Sequence, residues 1–374
     1  MPLVSLVIAA AVEPRRRLPK PRWLRVPGNW LSFVLGGALL MGLSSTQPQA
    51  QPGKTLERAA LFGRGYIDAA EWGKANGCTT GWTSPKDEFQ ISSSRLRLKL
   101  NVDSKKAILN GVQIWLSAPV VVHRGSAWLA ETDLRTLLHP ILFPQPRERA
   151  VRTVVLDPGH GGKDRGKVSG QFEEKSIALA LAKELKPLLE AEGFRVALTR
   201  NEDVGLELED RPEIAKAKGG DLFVSLHFNS AGEAGPGIHG VEVYCMTPAG
   251  ESSTNGTSDP AERVSAPGNR FDSQSVVMAY RIHQSLVQRL GMEDRGVRRA
   301  RFVVLRDAHM PSILIEGGFL SNPREARLVS SAVHRRKMAE AIASGIKAYL
   351  DGTKPAAAEG SPKPKRKRPT TRRE

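Results

Sequence analysis

The sequence predicts an α/β protein, a mostly parallel sheet flanked by helices and preceded by a small β-rich domain. Three observations carry this. From Val151 onward, short apolar runs alternate with stretches whose apolar residues recur every three or four positions, the mark of strand–helix repeats. Between Leu61 and Leu142 the pattern is instead a series of short alternating runs broken by turn dipeptides. The 374 residues leave room for two domains at roughly 100–200 residues each, with segments to spare.

The first of those segments is residues 1–50. Its residues 13–29 are basic and proline-rich, those from Trp30 to Leu43 apolar and uncharged, and those after them polar up to Gln49-Ala50. That apolar run is shorter than the roughly twenty residues that span a bilayer as a helix. It reads as a secretory signal peptide, or as an N-terminal anchor that holds the protein at the inner membrane if it is not cleaved. Either way the chain is expected to be exported, to the periplasm or cell envelope. No cysteine follows the run, which argues against a lipid anchor.

The formal charge of +16 first suggests nucleic acid, but its distribution argues otherwise. Residues 1–50 carry +5 and residues 351–374 another +5, leaving +6 for the body between them. No basic stripe interleaved with aromatics occurs there, and nucleic acid is excluded as a partner. The basic tail 352–374, including Lys363-Pro-Lys-Arg-Lys-Arg368, is too poor in apolar residues to fold and is expected to be disordered. Its expected contacts are weak ones with anionic envelope polymers. Cys78 and Cys245 are too few for a disulfide scaffold, and whether they pair is left open.

Residues 51–60 read as a linker and 61–142 as the small β-rich domain. Leu96, Leu98 and Leu100 alternate as in a strand, and Asn110-Gly111 is a hairpin signal between two further runs. Val120-Val-Val and Gly125–Ala130 add strands, and Glu131–Leu138 a short helix. Trp72, Trp82, Trp115 and Trp128 all fall here, and core packing is the better account of them than a sugar-stacking face. Pro140–Arg149 reads as a second linker.

The catalytic stretch, 151–351, opens on strand Thr153–Leu156, which stops at Asp157-Pro158 because proline cannot continue a ladder. Glycines then turn the chain and present His160 at the strand's carboxyl end. Ile177, Leu181, Leu185 and Leu188 predict a helix over 174–192, stopped by Gly193. Strands over 195–199, 222–226, 240–246, 302–306 and 313–315 follow, with helices over 208–218, 273–290 and 333–350. Three of these strands end in a ligand-type side chain: His160, His227 and Glu316. If the strands are parallel, the three converge where open α/β sheets place their sites. Two histidines and a carboxylate have the composition of a catalytic zinc site.

Val154-Val-Leu-Asp-Pro-Gly-His-Gly-Gly162, Glu174-Lys175, Ser225-Leu-His-Phe-Asn-Ser230 and Ile313-Leu-Ile-Glu-Gly-Gly-Phe-Leu-Ser-Asn322 together resemble the zinc-dependent N-acetylmuramoyl-L-alanine amidases (the amidase_3 type of catalytic domain). The resemblance runs from Val154 to Leu350 and implies an amidase/phosphorylase-like fold. It implies one Zn²⁺ per catalytic domain, held by His160, Glu174 and His227, with Glu316 as general base. Glu174 is preferred to its neighbour Glu173 because it directly precedes the lysine of the motif. The implied reaction is peptidoglycan hydrolysis at the amide between N-acetylmuramic acid and the L-alanine of the stem peptide. The alternatives are another zinc-dependent cell-wall peptidase and a non-catalytic peptidoglycan-binding protein. Residues 61–142 loosely resemble the amine-oxidase-N-like module.

Cell-division members of that family carry an autoinhibitory helix between the last zinc histidine and the catalytic glutamate. The matching place here, Thr247–Arg270, is rich in Gly, Ser, Pro and Asn and predicts a flexible rim or lid without a helical plug. His239 is expected at the surface and His309 in a structural role. Arg200 and Arg211 are expected in ion pairs, and Asp164 ordering the His160 loop. Asn229 is expected either at substrate or capping its turn.

Overall fold

The computed structural model describes residues 56–84, 86–231, 235–256 and 264–354. The N-terminal segment 1–50 and most of the basic tail therefore lie outside the described residues, as do the expectations placed on them. Among the described residues no helix is long and apolar enough to cross a membrane.

Strands β1 (Arg58–Leu61), β2 (Arg64–Asp68), β8 (Val121–His123) and β9 (Ser126–Ala130) form a small antiparallel sheet in the order β1-β2-β9-β8. Asp68 ends β2 and caps helix α1 (Ala69–Ala75) by accepting from the Ala70 and Glu71 amides. Strands β3 (Thr79–Ser84), β4 (Glu88–Ser92), β5 (Arg97–Asn101), β6 (Lys106–Leu109) and β7 (Val112–Trp115) are an antiparallel meander. Asn110 (φ 49°) and Gly111 (φ 81°) make the β6–β7 turn, the left-handed pair this hairpin type requires. The chain then passes through α2 (Glu131–Asp133), a π-helical turn over Leu134–Leu138, and α3 (His139–Leu142). The expected linker over 140–149 is thus helical in its first residues.

The rest is built from β10 (Thr153–Pro158), α4 (Glu174–Ala191), β13 (Arg195–Leu198), α5 (Asp210–Ala217), β14 (Leu222–Asn229) and β15 (Val241–Met246). These are followed by α6 (Asp272–Leu290), β16 (Asp294–Ala300), α7 (Val303–Arg306), β17 (Ser312–Phe319), α8 (Pro323–Ser330) and α9 (Ala332–Gly352). Between β10 and α4 lies a two-stranded ribbon, β11 (Val168–Ser169) and β12 (Phe172–Glu173). Strands β13, β10, β14 and β17 are parallel neighbours, as a strand–helix repeat requires. Helix α4 buries Ile177, Leu181 and Leu185, three of the four positions its spacing predicted, while at the next turn Leu189 is buried and Leu188 only partly so.

Three features depart from the sequence reading. Residues 302–306, rich in valine, form a one-turn helix instead of a strand. Val304 and Leu305 are buried against Tyr244 and Leu314 on the sheet surface, and tertiary packing overrides β propensity. Strand β16 was not expected, because Asp294-Arg-Gly-Val-Arg-Arg-Ala300 has neither alternation nor an apolar run. Third, β15 runs antiparallel to β17, with Glu242 opposite Glu316 and Tyr244 opposite Leu314. Met246 therefore leaves the sheet at the edge away from Glu316, and the described residues of the segment from Thr247 onward start there and not beside the His160 turn. The described part of that segment is coil with a 3₁₀ turn over Pro267–Phe271, and it is tied down where it lies. Thr254 bonds the backbone of Arg299, Arg301 donates to Pro248 O and Glu251 pairs with Arg64.

The meander and the parallel strands are one sheet. Strand β7 pairs in parallel with β16 at Ile114–Val297, extending the order to β13-β10-β14-β17-β15-β16-β7-β6-β5-β4-β3. The Gln113 amide donates to Asp294 (2.8 Å), Tyr280 to Leu109 O (3.0 Å) and the buried Arg299 to Thr136 O (2.6 Å). One apolar core takes in Leu98, Leu109 and Ile114 together with Val243, Met278 and Ile342. Trp72 and Trp128 are buried in the N-terminal stretch, as expected of core residues, whereas Trp82 and Trp115 are half-buried. Cys78 and Cys245 are free thiols, the second buried in β15.

Candidate metal centre

The turn after β10 is held from behind. Asp157 is fully buried and accepts from Thr199 (2.6 Å), Ser225 (2.8 Å) and Arg211 (2.8 Å). Arg211 also donates to the carbonyls of Pro158 and His160, and Arg200 to those of Pro158 and Gly159. Arg211 is thus in the ion pair expected of it, whereas Arg200 works on backbone oxygens. This bracing matters because His160 sits at φ 60°, a left-handed conformation that costs a side-chain-bearing residue energy and must be enforced by its surroundings.

Glu174 is the first residue of α4, and its buried carboxylate faces the turn. Its Oε1 lies 3.0 Å from His160 Nε2 and 3.0 Å from His227 Nδ1, and accepts from the Phe228 amide. Its Oε2 accepts from the Lys167 amide at 2.9 Å. One ligand atom from each of His160, Glu174 and His227 lies within 4.8 Å of the others, the one such group of three among the described residues. Glu173, the competitor, points away and pairs with Arg165.

Two imidazole nitrogens and a carboxylate oxygen form a donor set that fits a divalent transition metal. The surroundings fit it too. Asp164 Oδ2 lies 2.7 Å from His160 Nδ1, the outer carboxylate that orients a metal-binding imidazole. Burial raises the Glu174 pKa, but hydrogen bonds from His160 and His227 outweigh it and hold the carboxyl well below its usual range. The space is also fitted. A Cβ on Gly159 would come within 2.2 Å of the His227 ring, and one on Gly166 within 2.6 Å of both Glu174 Oε2 and His160 Cδ2. Gly159 has an ordinary backbone conformation, so Gly159→Ala is a steric test alone. It is expected to push the His227 ring aside and weaken metal binding about 10- to 100-fold, measured by competition with a chromophoric chelator.

Glu316 is the cross-strand neighbour of His227, as the strand-end argument anticipated. Its Oε2 is shielded from solvent and has no hydrogen-bond partner. Burial pushes its pKa well above the carboxylate range, and the charges of Glu174 and Glu242 push it further. Such an atom is poised to receive a proton from something that enters the site.

Glu242, which the sequence reading passed over, stands on the other side of Glu316. Its buried carboxylate accepts from Arg295 (2.9 Å), Arg298 (2.7 Å), Tyr244 (2.6 Å) and Asn229 (3.1 Å). An acid set inside Val241-Glu-Val243 was the available signal. Asn229 also accepts from the Ser230 amide, so it caps its turn. His239 is half-exposed beside Glu293, and His309 bonds Glu213 in a surface pair. Neither joins the site.

Residues 154–348 match the family described as N-acetylmuramoyl-L-alanine amidase, just over half of the chain. The amidase AmiC of Neisseria meningitidis is 38% identical over 233 residues, 56% of each chain. The amidase AmiA of Escherichia coli is 33% identical over 227 residues, 53% of this chain and 76% of its own. Among solved structures, the amidase AmiC2 of Nostoc punctiforme is 34% identical, with 54% of this chain and 97% of that one covered and a TM-score of 0.45. The chain thus spans about half the length of the AmiC relatives it matches. With the turn, the helix and the strand end that carry the donor set all inside the matched residues, the chain belongs to the N-acetylmuramoyl-L-alanine amidase family.

Proposed function

We propose that the protein hydrolyses peptidoglycan at the amide between N-acetylmuramic acid and the L-alanine of the stem peptide. One zinc ion would be held by His160, Glu174 and His227, and Glu316 would be the general base. The observation that carries this reading is the closeness of the three donor atoms, within 4.8 Å, beside an unpartnered Glu316 Oε2. Residues 151–351 are the catalytic domain in this reading and 61–142 an accessory domain. The substrate and the basic-then-apolar N-terminal segment together support export to the periplasm or cell envelope.

When bound, zinc supplies Lewis acidity, lowering the pKa of a water from about 15.7 toward about 7 and polarising the amide carbonyl. Glu316 takes the proton of the attacking water on Oε2. The raised pKa makes it a ready acceptor of that proton, which it then passes to the departing, more basic nitrogen of L-alanine. Asp164 holds His160 by Nδ1 and so keeps Nε2 turned toward Glu174. Arg200 and Arg211 keep the carbonyls of the turn pointing away from the donor set.

Digestion of purified peptidoglycan with and without a chelator tests this. Whole stem peptides are expected to be freed, the release is expected to stop on chelation and return with zinc, and His160→Ala is expected to carry no zinc. L-alanine left on the muramic acid would instead mark a peptidase, and release indifferent to chelation would overturn the zinc assignment.

A further inference from the structure

Residues directly opposite each other on paired strands project from the same face of a sheet. Register therefore carries the face of Glu316 outward, strand by strand. Glu316 pairs with Glu242, and the next pairs, Val243–Val297 and Val297–Ile114, put Val243, Val297 and Ile114 on the opposite, buried face. Gln113 and Trp115 thus share the face of Glu242, and the row continues through Ile108, Lys99 and Gln90. Helices α5 and α7 cover this face at the Phe223–Leu314 level, below Glu316. The Trp115 indole lies across Gly296, where a Cβ would come within 2.9 Å of it, and donates to Arg295 O. Arg298 stands 4.6 Å and Lys106 5.1 Å from its ring centre.

Farther along the same face is a concavity of 530 Å³ lined by Ser93, Arg95, Arg97, Lys99, Ile108 and Asn110. Five strand-to-strand steps separate Glu316 on β17 from Lys99 on β5, about 24 Å at about 4.8 Å per step. Lys99 shares its charge with Glu88 at 3.3 Å. Arg95 and Arg97 are exposed, and among the described residues neither has an ion-pair partner. Two free guanidinium groups beside amide and hydroxyl donors suit a carboxylate, which an arginine fork can bind at both oxygens.

We propose that this concavity is a distal subsite for the carboxylate-bearing peptide arms of the substrate polymer, on the sheet face that also bears the catalytic carboxylate. The proposal rests on the peptidoglycan reading above. A polymer engaged by Glu316 crosses Glu242, Trp115 and Lys106 and presents a second peptide arm to Arg95 and Arg97. A short fragment carrying one arm reaches the first position and not the second.

The test compares the zinc-loaded full chain with Arg95→Glu/Arg97→Glu and with the charge-keeping Arg95→Lys/Arg97→Lys. Each is assayed on intact peptidoglycan and on a soluble single muramoyl-peptide. The ratio of kcat/KM on polymer to that on fragment is expected to fall about tenfold in the charge reversal, on the scale of two opposed rim charges, and by less in the lysine pair, which keeps the charge and loses the fork. An unchanged ratio, or equal loss on both substrates, overturns the proposal. If the wild type cleaves neither substrate, the catalytic reading fails on its own. Co-sedimentation of chelated wild type and charge reversal with peptidoglycan then decides the subsite, and equal binding would sink it.

Discussion

Glu316→Gln is expected to retain one zinc ion per chain and to lose turnover by about 10²–10⁴, the usual contribution of a positioned acid–base group. Glutamine keeps the shape of the side chain and its place opposite His227 and Glu242, so the donor set should stand unaltered. What disappears is the atom that can take up a proton. Removing a buried carboxyl that neighbouring Glu174 and Glu242 push toward its neutral form should cost the fold little, and Tm is expected to hold or rise. Metal analysis, turnover and Tm on one preparation separate the roles. Full activity in the zinc-replete variant would remove Glu316 from the mechanism.

Arg211→Ala acts on stability. Arg211 and Asp157 are both almost wholly buried, and truncating the arginine strips Asp157 of its cation and the His160 carbonyl of its donor. Breaking a buried pair from one side costs about 3–5 kcal/mol, since the surviving charge stays in place uncompensated. For a domain of this size that is a fall in Tm on the order of 10 °C. Adding Asp157→Asn removes the orphaned charge, so the double variant is expected to recover part of the loss. Losses that simply add would show that the pair is not coupled.

Much of the site was legible because its parts are local. A strand closed by Asp-Pro, a histidine among glycines and an acid opening a helix are written in consecutive residues, and the structure brings His160, Glu174 and His227 together. The convergence of His227 and Glu316 could be argued only if their strands were parallel, which they are. What stayed illegible was non-local. Nothing in Val241–Met246 tells which way the strand runs, so the reversal of β15, and with it the edge at which Thr247 begins, was not legible. Glu242 was passed over because its four donors come from β14, β15 and β16 and none is adjacent to it in sequence. Strand β16 is held by its neighbours rather than by its own arginine-rich composition.

The parallel pairing of β7 with β16 has a practical side. The family match begins at Val154, and a fragment cut just ahead of it would part the sheet between two hydrogen-bonded strands. Strand β16 would become a raw edge with open amides and carbonyls, a template for association with other chains. The core that Val243, Met278 and Ile342 share with Leu109 and Ile114 would be cut open. A soluble unit for crystallisation or wall-digestion assays should therefore start ahead of β1, because the smallest piece of this chain with a closed interior is larger than its recognisable enzyme.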